Sequence, residues 1–310
     1  MDYSLVIPVY NEQDNVEQLY ERTRKVMVTL KKKFELIFIN DGSHDSTQEL
    51  LTKLHAADDK VKVINFSRNF GHQVAVTAGL KFATGKKIAI LDADLQDPPE
   101  VLPTFFAKLD EGFDVVYAIR KHRKENFVKR FSYFVFYRLL KTIASISIPL
   151  DSGDFCVMSS RVVSLLNTLP ERNRFIRGLR SWVGFKQVGV AYDRDNRHAG
   201  NSKYTLHKMF KLAFDGIFSF SYVPLQLLTF AGFLFFVLSI VGSIITVYAK
   251  FFTSVYIPRG FPTTIITILF IGGINMLALG IMGEYIGRIY DEVKHRSPFI
   301  IESTLGLGEK

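Results

Sequence analysis

Two aspartates separated by one residue follow a short apolar run: Asp92 and Asp94 come directly after IAIL. In an extended segment, side chains two positions apart leave the same face, so both carboxylates can converge on one cation. Carboxylate oxygens suit a hard divalent ion such as Mg²⁺ or Mn²⁺, which in turn bridges the phosphates of a nucleotide. The pair therefore predicts a metal-assisted nucleotide site.

Polar residues also follow two other β-rich runs. Pro8, Tyr10 and Glu12 stand at the end of the first run, and Asp41 opens the segment DGSHDST after the second. Ligands of parallel sheets gather at the carboxyl ends of the strands, so we expect these residues to lie near Asp92. The alternative is that such residues only cap the following helices. For Asp45 and Ser46 in that segment, capping remains the better interpretation.

The elements that must position these residues are visible between Tyr3 and Ile119. β-rich runs alternate there with polar stretches long enough for helices: YSLVIPV, FELIFIN, VKVINF, KKIAILD and FDVVYAI. The Val and Ile residues do not alternate strictly with polar ones, which is typical of strands covered on both faces. The sequence therefore predicts an α/β fold with a mostly parallel sheet.

The composition of the chain limits the cross-links and metal sites that it can form. The chain has 310 residues, a formal net charge of +9 and a single cysteine, Cys156. One cysteine forms no internal disulfide, and no Cys/His cluster offers four zinc ligands, so the fold depends on packing and on any oxygen-bound metal. The mean hydropathy of +0.14 is high for a wholly soluble protein.

The apolar residues concentrate in two segments. No charged residue lies between Asp215 and Lys250 or between Arg259 and Glu284, and each run exceeds the ~20 residues that a membrane-spanning helix needs. We expect spans at about Val223–Tyr248 and Thr263–Ile286. A pair of buried core helices is the alternative. The cations that flank the two spans on one side are Arg197, Lys203, Lys208, Lys211, Arg288, Lys294 and Arg296, against only Lys250 and Arg259 in the connecting loop.

This charge asymmetry predicts the orientation. By the positive-inside rule, both termini and the first ~215 residues face the cytoplasm, and the protein is integral to the plasma (inner) membrane. Gly283 and Gly287 form a GxxxG pair that is compatible with a homo-oligomer, although a chance pair is an equal alternative. We expect no nucleic-acid partner.

Four motifs in order, VIPVYNE, NDGSHDST, NFSRNFGHQ and LDADLQDPPE, resemble the family 2 glycosyltransferases of GT-A fold. The resemblance covers roughly Tyr3 to Tyr204. It is strongest to the branch that loads sugars onto polyisoprenyl phosphates, and the two following spans are similar to those of the bactoprenol (undecaprenyl-phosphate) glucosyltransferases. Dolichol-phosphate mannose synthases are the other relatives with these motifs.

The resemblance implies a role for each motif residue. Asp94 holds the divalent metal, Mg²⁺ or Mn²⁺, and Asp92 lies near the metal, the ribose and the diphosphate. Gln96 lies near the metal or the sugar. The residues expected to surround the rest of the nucleotide sugar are Pro8, Tyr10, Glu12, Asp41, Ser67 and Arg68, with Arg194, Arg197, Ser202 and Lys203 from an R-x-x-G-x-S-K-Y segment closing over the diphosphate.

The acceptor side is implied in the same way. Asp154 aligns with the candidate catalytic carboxylate of the family, where it orients the acceptor or accepts a proton. Asp151 is the alternative carboxylate, and a simple turn before the next strand is the structural alternative. Arg120 and Arg130 are expected on the lipid phosphate, because a guanidinium fork suits phosphate geometry.

These expectations define four regions and one activity. Residues 1–202 form a cytosolic GT-A catalytic domain, 203–221 an interfacial amphipathic helix, 222–290 a two-helix transmembrane domain, and 291–310 a cytosolic C-terminal tail. The expected enzyme is an inverting, metal-dependent glycosyltransferase that moves a hexose, glucose from UDP-glucose, onto a polyisoprenyl phosphate. The alternatives are a GDP-mannose-dependent mannosyltransferase, a processive polysaccharide synthase and a non-catalytic nucleotide sensor.

Overall fold

The structure is a computed structural model that describes residues 1–120, 152–172, 174–192, 228–234 and 260–308, together with scattered positions between 225 and 252. Its described strands are β1 (Tyr3–Val9), β2 (Phe34–Asn40), β3 (Val61–Phe66), β4 (Lys87–Ile90), β5 (Val115–Arg120), β6 (Ser152–Ser159), β7 (Gln187–Tyr192) and β8 (Ile301–Leu305). Its described helices of more than one turn are α1 (Val16–Thr29), α2 (Thr47–Ala57), α3 (His72–Phe82), α4 (Leu102–Asp110), α5 (Ser160–Thr168), α6 (Ile176–Trp182) and α7 (Phe261–Val293).

The strands form one sheet in the order β7-β5-β6-β4-β1-β2-β3-β8. β1 pairs in parallel with β2 and β4, β2 with β3, and β5 with β7, whereas β6 and β8 run antiparallel to their neighbours. The prediction of an α/β fold with a mostly parallel sheet is confirmed. Its exceptions, β6 and β8, both bring later parts of the chain to the sheet.

Burial explains why the first strands form the centre of the sheet. Every residue of β1 and β2 is buried, as expected for strands covered on both faces. Each fully buried Leu, Ile or Val contributes about 1.5–3 kcal/mol relative to an exposed position. Helix α3 packs closely on this centre at Gly79, where a Cβ would lie 2.7 Å from Ile39 Cδ1. The central strands are therefore a rigid base for the loops at their carboxyl ends.

Pro8 lies inside β1, where a missing N–H would normally break a central strand. The pairing of β1 with β4 ends at Val6 and Ile90, before Pro8 is reached, and on the other side Pro8 lies opposite Ile39 of β2. The proline is tolerated because it stands where one neighbouring strand has already ended.

The region expected as a cytosolic C-terminal tail contains a strand. Residues Ile301–Leu305 form β8, which pairs antiparallel with β3 and becomes the edge of the sheet. By its contacts, the chain from Arg296 onward belongs to the same compact unit as the sheet, while α7 belongs to a second unit. Residues Ile301–Leu305 therefore extend the sheet beyond β3, which the sequence did not predict.

Among the residues that the structure describes, one helix is long and apolar enough to cross a membrane, the segment Phe270–Val293 of α7. None of its apolar window is buried. Half of the first expected span, Val223–Tyr248, lies outside the described residues, and described positions such as Phe230 and Phe233 are helical and exposed. One of the two expected spans thus has a corresponding helix here.

Candidate active site

Strand pairing brings the acidic residues of two distant segments together. β4 and β6 are antiparallel, with Ile90 opposite Cys156, so the chain after β4 and the chain at the start of β6 continue side by side. Asp92 and Asp154 each lie two residues beyond this pair on the same edge. His72 stands between them: its Nε2 is 3.6 Å from Asp92 Oδ1 and 3.6 Å from Asp154 Oδ2.

Asp154 is held by a bidentate ion pair. Arg177, on α6, donates from Nε to Asp154 Oδ1 at 2.7 Å and from Nη2 to Oδ2 at 2.8 Å. Burial would raise the pKa of the Asp154 carboxyl, but the charge and hydrogen bonds of Arg177, with a further contribution from His72, hold that pKa well below its usual range. Asp154 is therefore ionised at neutral pH and is a weak proton acceptor.

His72 begins α3 directly after Gly71, whose φ of 101° is accessible mainly to glycine. Burial disfavours the charged imidazole, but the contact with Asp154 and the charges of Asp92 and Asp154 outweigh it and raise the pKa of His72 to about 9. The histidine is consequently a cation at neutral pH. Together with Arg177 it balances the two carboxylates that it joins.

The pKa of Asp92 shifts in the opposite direction to that of Asp154. Burial, and then the negative charges of Asp154, Asp97 and Asp94, raise its pKa to about 6, although His72 acts against them. Its Oδ1 is buried and accepts no hydrogen bond. The His72 imidazolium is 3.6 Å from this oxygen, beyond hydrogen-bond distance, and the carboxylates Asp94 and Asp97 lie nearby, so the buried oxygen is suited to a metal cation.

The next residues form a tight acidic turn. Leu95 adopts a positive φ of 59°, and Gln96 N donates to Asp94 Oδ1 at 3.2 Å. Asp97 is buried and accepts a hydrogen bond from the hydroxyl of Tyr192 at the end of β7. Strained backbone of this kind persists only where surrounding contacts fix it, and here the turn keeps Asp94 beside Asp92.

A divalent metal fits the donor chemistry of this turn. In the described part of the chain, no three His, Cys, Asp or Glu residues form a ready-made metal cluster. Mg²⁺-type sites commonly use one or two carboxylates and complete their coordination with water and substrate phosphates. Asp94 and Asp92 are the residues that would hold such an ion.

The loops after β1 and β2 are tied to each other by hydrogen bonds. Asn11 has a positive φ of 52°; its N–H donates to Ser43 Oγ at 3.0 Å and its Oδ1 accepts from His44 N at 2.9 Å. Glu12 N donates to Thr47 Oγ1 at 3.0 Å. The Tyr10 ring meets the His44 ring edge-on at 6.5 Å. The predicted residues Tyr10 and Glu12 therefore lie on a fixed double loop.

Asp41 is buried and fixes a third loop. Its carboxylate accepts from Phe70 N at 2.7 Å and from Gly71 N at 3.0 Å. Burial raises the pKa of Asp41, while those hydrogen bonds and the charges of His72 and Arg68 oppose the rise. Here Asp41 engages protein backbone, and its contacts connect the β2 loop to the loop that delivers His72.

Ser67 and Arg68 begin that third loop and are exposed. The Arg68 guanidinium lies over the Phe70 ring, 4.1 Å from its centroid, and donates from Nη1 to Asn69 O at 3.2 Å. Its charge is thus held at the loop surface by an aromatic face.

Several predicted residues lie outside the described part of the chain: Arg130, Arg194, Arg197, Ser202 and Lys203, as well as the alternative carboxylate Asp151 and the helix expected at 203–221. Arg120 ends β5, where its backbone is opposite Tyr192 of β7. The structure therefore gathers the predicted acids Asp92, Asp94 and Asp154 with Gln96 at one strand edge.

The family model described as glycosyl transferase family 2 matches residues 4–166. The chain belongs to this family. The glycosyltransferase YkcC of Bacillus subtilis is 47% identical over 311 residues, which cover 100% of this chain and 96% of that protein. The bactoprenol glucosyl transferase of Shigella phage SfV is 40% identical over 307 residues, 98% of this chain and 99% of that protein.

Among solved structures, Staphylococcus aureus TarS in complex with UDP-GlcNAc has a TM-score of 0.49 and 18% identity, covering 69% of this chain and 64% of that chain. The GT-A α/β fold expected from the sequence is confirmed by the family match and the sheet described above. The protein is a glycosyltransferase.

Sequence reasoning missed two residues of this glycosyltransferase site, His72 and Arg177. His72 stands within the NFSRNFGHQ motif, directly after a glycine at a predicted strand-to-helix connection, and that position was a usable signal. Arg177 carried none, because its partner Asp154 is 23 residues away on another element.

Proposed function

We propose that this family 2 enzyme transfers glucose from UDP-glucose to a polyisoprenyl phosphate at the cytoplasmic face of the membrane, with inversion at the anomeric carbon. The observation that carries the proposal is that Asp92 and the Asp154–Arg177 ion pair meet at His72 on one edge of the sheet, with Asp94 close enough for its charge to raise the pKa of Asp92. The bactoprenol glucosyl transferase of Shigella phage SfV, similar over nearly the whole chain, supports the choice of sugar and lipid.

The acceptor chemistry agrees with an Asp154 that does not act as a base. A phosphate monoester has a second pKa of ~6 and is largely a dianion at pH 7, so its oxygen attacks without losing a proton to the enzyme. Asp154 is ionised and bound to Arg177, and a general base works best with a pKa near the operating pH. We assign Asp154 an orienting role, which it exerts through Arg177 and His72.

Charge balance supports bringing two anionic substrates to this edge. The two cations His72 and Arg177 offset the carboxylates Asp92 and Asp154, so these four side chains together add no net charge. When bound by Asp94 and Asp92, a divalent metal neutralises charge on the leaving diphosphate. The loops with Tyr10, Glu12, Ser67 and Arg68 are the proposed sides of the nucleotide site.

The membrane part of the proposal rests on α7 and on the charge distribution of the sequence. We propose that α7 and the apolar segment 223–248 both cross the bilayer, with both termini in the cytoplasm. Arg120 and Arg130 are proposed for the lipid phosphate, and Arg194, Arg197, Ser202 and Lys203 for the diphosphate, on the strength of the motifs alone.

A transfer assay tests this function. Membranes containing the protein are incubated with Mn²⁺, polyprenyl phosphate and radiolabelled UDP-glucose or GDP-mannose, and the lipid is extracted. We expect label in the lipid fraction from UDP-glucose, and none after Asp94→Ala, which removes a proposed metal ligand. Label from GDP-mannose alone would show that the donor is GDP-mannose and not UDP-glucose. No label from any nucleotide sugar would refute the proposal.

A further inference from the structure

The edge strand β8 is joined to the loop that carries Ser67 and His72. β8 pairs with β3, and the pairing continues past the strand end, because Ser67 N donates to Ile300 O at 3.1 Å. Just before β8, the buried Phe299 ring stacks on Phe66 at 5.3 Å with an interplanar angle of 13°. The last residue of β3 and the first residue of the loop are therefore both held by the C-terminal segment.

A chain of polar contacts leads from β8 into the sheet. Asn65 Nδ2 donates to Ser303 Oγ at 3.0 Å, and Asn65 Oδ1 accepts from Asn40 Nδ2 at 3.0 Å. Asn65 and Asn40 are 2% and 1% exposed, so an unpaired amide there is costly. Ser303 is the outer partner of this buried pair.

The same chain continues to the proposed nucleotide loops. Asn40 Oδ1 accepts from Ser43 N at 3.0 Å, and Ser43 Oγ accepts from Asn11 N at 3.0 Å. Asn11 has a positive φ and stands between Tyr10 and Glu12. The amides of Asn65 and Asn40 can each form both of their hydrogen bonds in one orientation only. A shift of one strand is therefore passed to the next through these bonds.

We propose that the C-terminal segment, residues 299–305, positions the nucleotide site of this enzyme, with Ser303 and Phe299 as positioning residues. This inference rests on the proposed use of a nucleotide donor and names the part of the chain that shapes its site. The simpler role for β8 is to cover an open sheet edge. Edge protection alone would give Ser303 no influence on nucleotide affinity.

The first test compares two changes on β8 that each replace a hydroxyl side chain by valine. Ser303→Val removes the hydroxyl that accepts from Asn65, while the matched control Thr304→Val changes an exposed neighbour on the same strand. The dissociation constant of UDP with Mn²⁺ is measured by titration calorimetry on the full-length protein in detergent. We expect about a fivefold weaker affinity for Ser303→Val, an unchanged value for Thr304→Val, and recovery with Ser303→Thr.

The second test uses Phe299→Leu, which keeps an apolar side chain but loses the ring stack on Phe66. We expect the KM for the sugar nucleotide to rise severalfold and the KM for polyprenyl phosphate to stay the same. A lower melting temperature with unchanged UDP affinity and unchanged KM in both variants would overturn the proposal. Because UDP binding is measured without transfer, the outcome is separate from the transfer assay: a protein that binds UDP but labels no lipid would still test this inference.

Discussion

Arg177→Met tests the electrostatic account of the active site. Methionine keeps much of the apolar length of the side chain and removes the guanidinium that bonds Asp154 at 2.7 and 2.8 Å. The side chain of Asp154 is 12% exposed and that of Arg177 is 23% exposed, so the carboxylate left behind stays largely desolvated. Breaking a buried pair by removing one partner costs about 3–5 kcal/mol. We expect about 3 kcal/mol, at the low end, because His72 remains beside Asp154.

The loss of stability should depend on pH in a defined direction. In the wild-type protein the pKa of Asp154 is depressed, so its stabilising contribution is present above the unfolded pKa of ~3.9 and is lost as pH falls through the lower folded value. Without Arg177, burial raises the pKa of Asp154, and His72 is left as the group that opposes the rise. Protonation of Asp154 in acid then removes the unpaired buried charge. The loss of stability relative to wild type is therefore larger at pH 7 than at pH 5.

The assay is thermal unfolding of the purified protein in detergent at both pH values. At ~2–4 °C per kcal/mol, the melting temperature of Arg177→Met should fall by about 6–12 °C at pH 7. Arg161→Met is the matched control, since its ion pair with Asp114 is 3.0 Å long but the arginine is 64% exposed, and such pairs contribute ~0–1 kcal/mol. Equal shifts in the two variants, or a larger loss at pH 5 than at pH 7, would refute the reasoning.

Three further predictions follow from the same site and core. Asp154→Asn should reduce sugar transfer at least tenfold while UDP affinity measured by calorimetry stays within twofold, since the amide no longer forms the charged pair; a parallel loss of UDP affinity would contradict an acceptor-side role. Mn²⁺ affinity should be nearly constant above pH 6 and fall up to tenfold per pH unit below it, because the ion must displace the proton from Asp92, whose pKa is about 6. Titration with Mn²⁺, followed by electron paramagnetic resonance, measures this affinity. An affinity that does not change from pH 5 to 7 would exclude Asp92 as a ligand. Gly79→Ala should lower the free energy of unfolding by ~1–3 kcal/mol, because the new methyl overlaps Val6 and Ile39; unchanged denaturant stability would show that α3 moves away without cost.

The sequence was sufficient for the parts of the site that follow from strand ends. Asp92 and Asp94 were predicted to share one edge because both follow a buried strand, and that geometry depends only on local backbone. Asp154 came from resemblance, since its position depends on β6 entering the sheet antiparallel beside β4. A sequence pattern carries no information on which strand a later segment will choose as its neighbour.

The same limit explains the edge strand. In Ile301–Leu305, apolar and polar residues do not alternate, so the sequence IESTL does not predict a strand. In the structure only the two end residues are partly buried. Their pairing with β3 depends on contacts across a sequence separation of 238 residues, such as that between Asn65 and Ser303. His72 was accessible to motif reasoning, but Arg177 became visible only when α6 was placed against β6.

The late position of β8 in the chain also has a consequence for biosynthesis. The nascent polypeptide can fold β1 to β4 early, but β3 keeps an open edge until the ribosome has made α7 and the residues after it. A chain that stops prematurely before Ile301 would retain every acidic residue of the site and lack the strand that closes the sheet. Synthesis of β8, and not synthesis of the acidic motifs, is the step that completes this sheet.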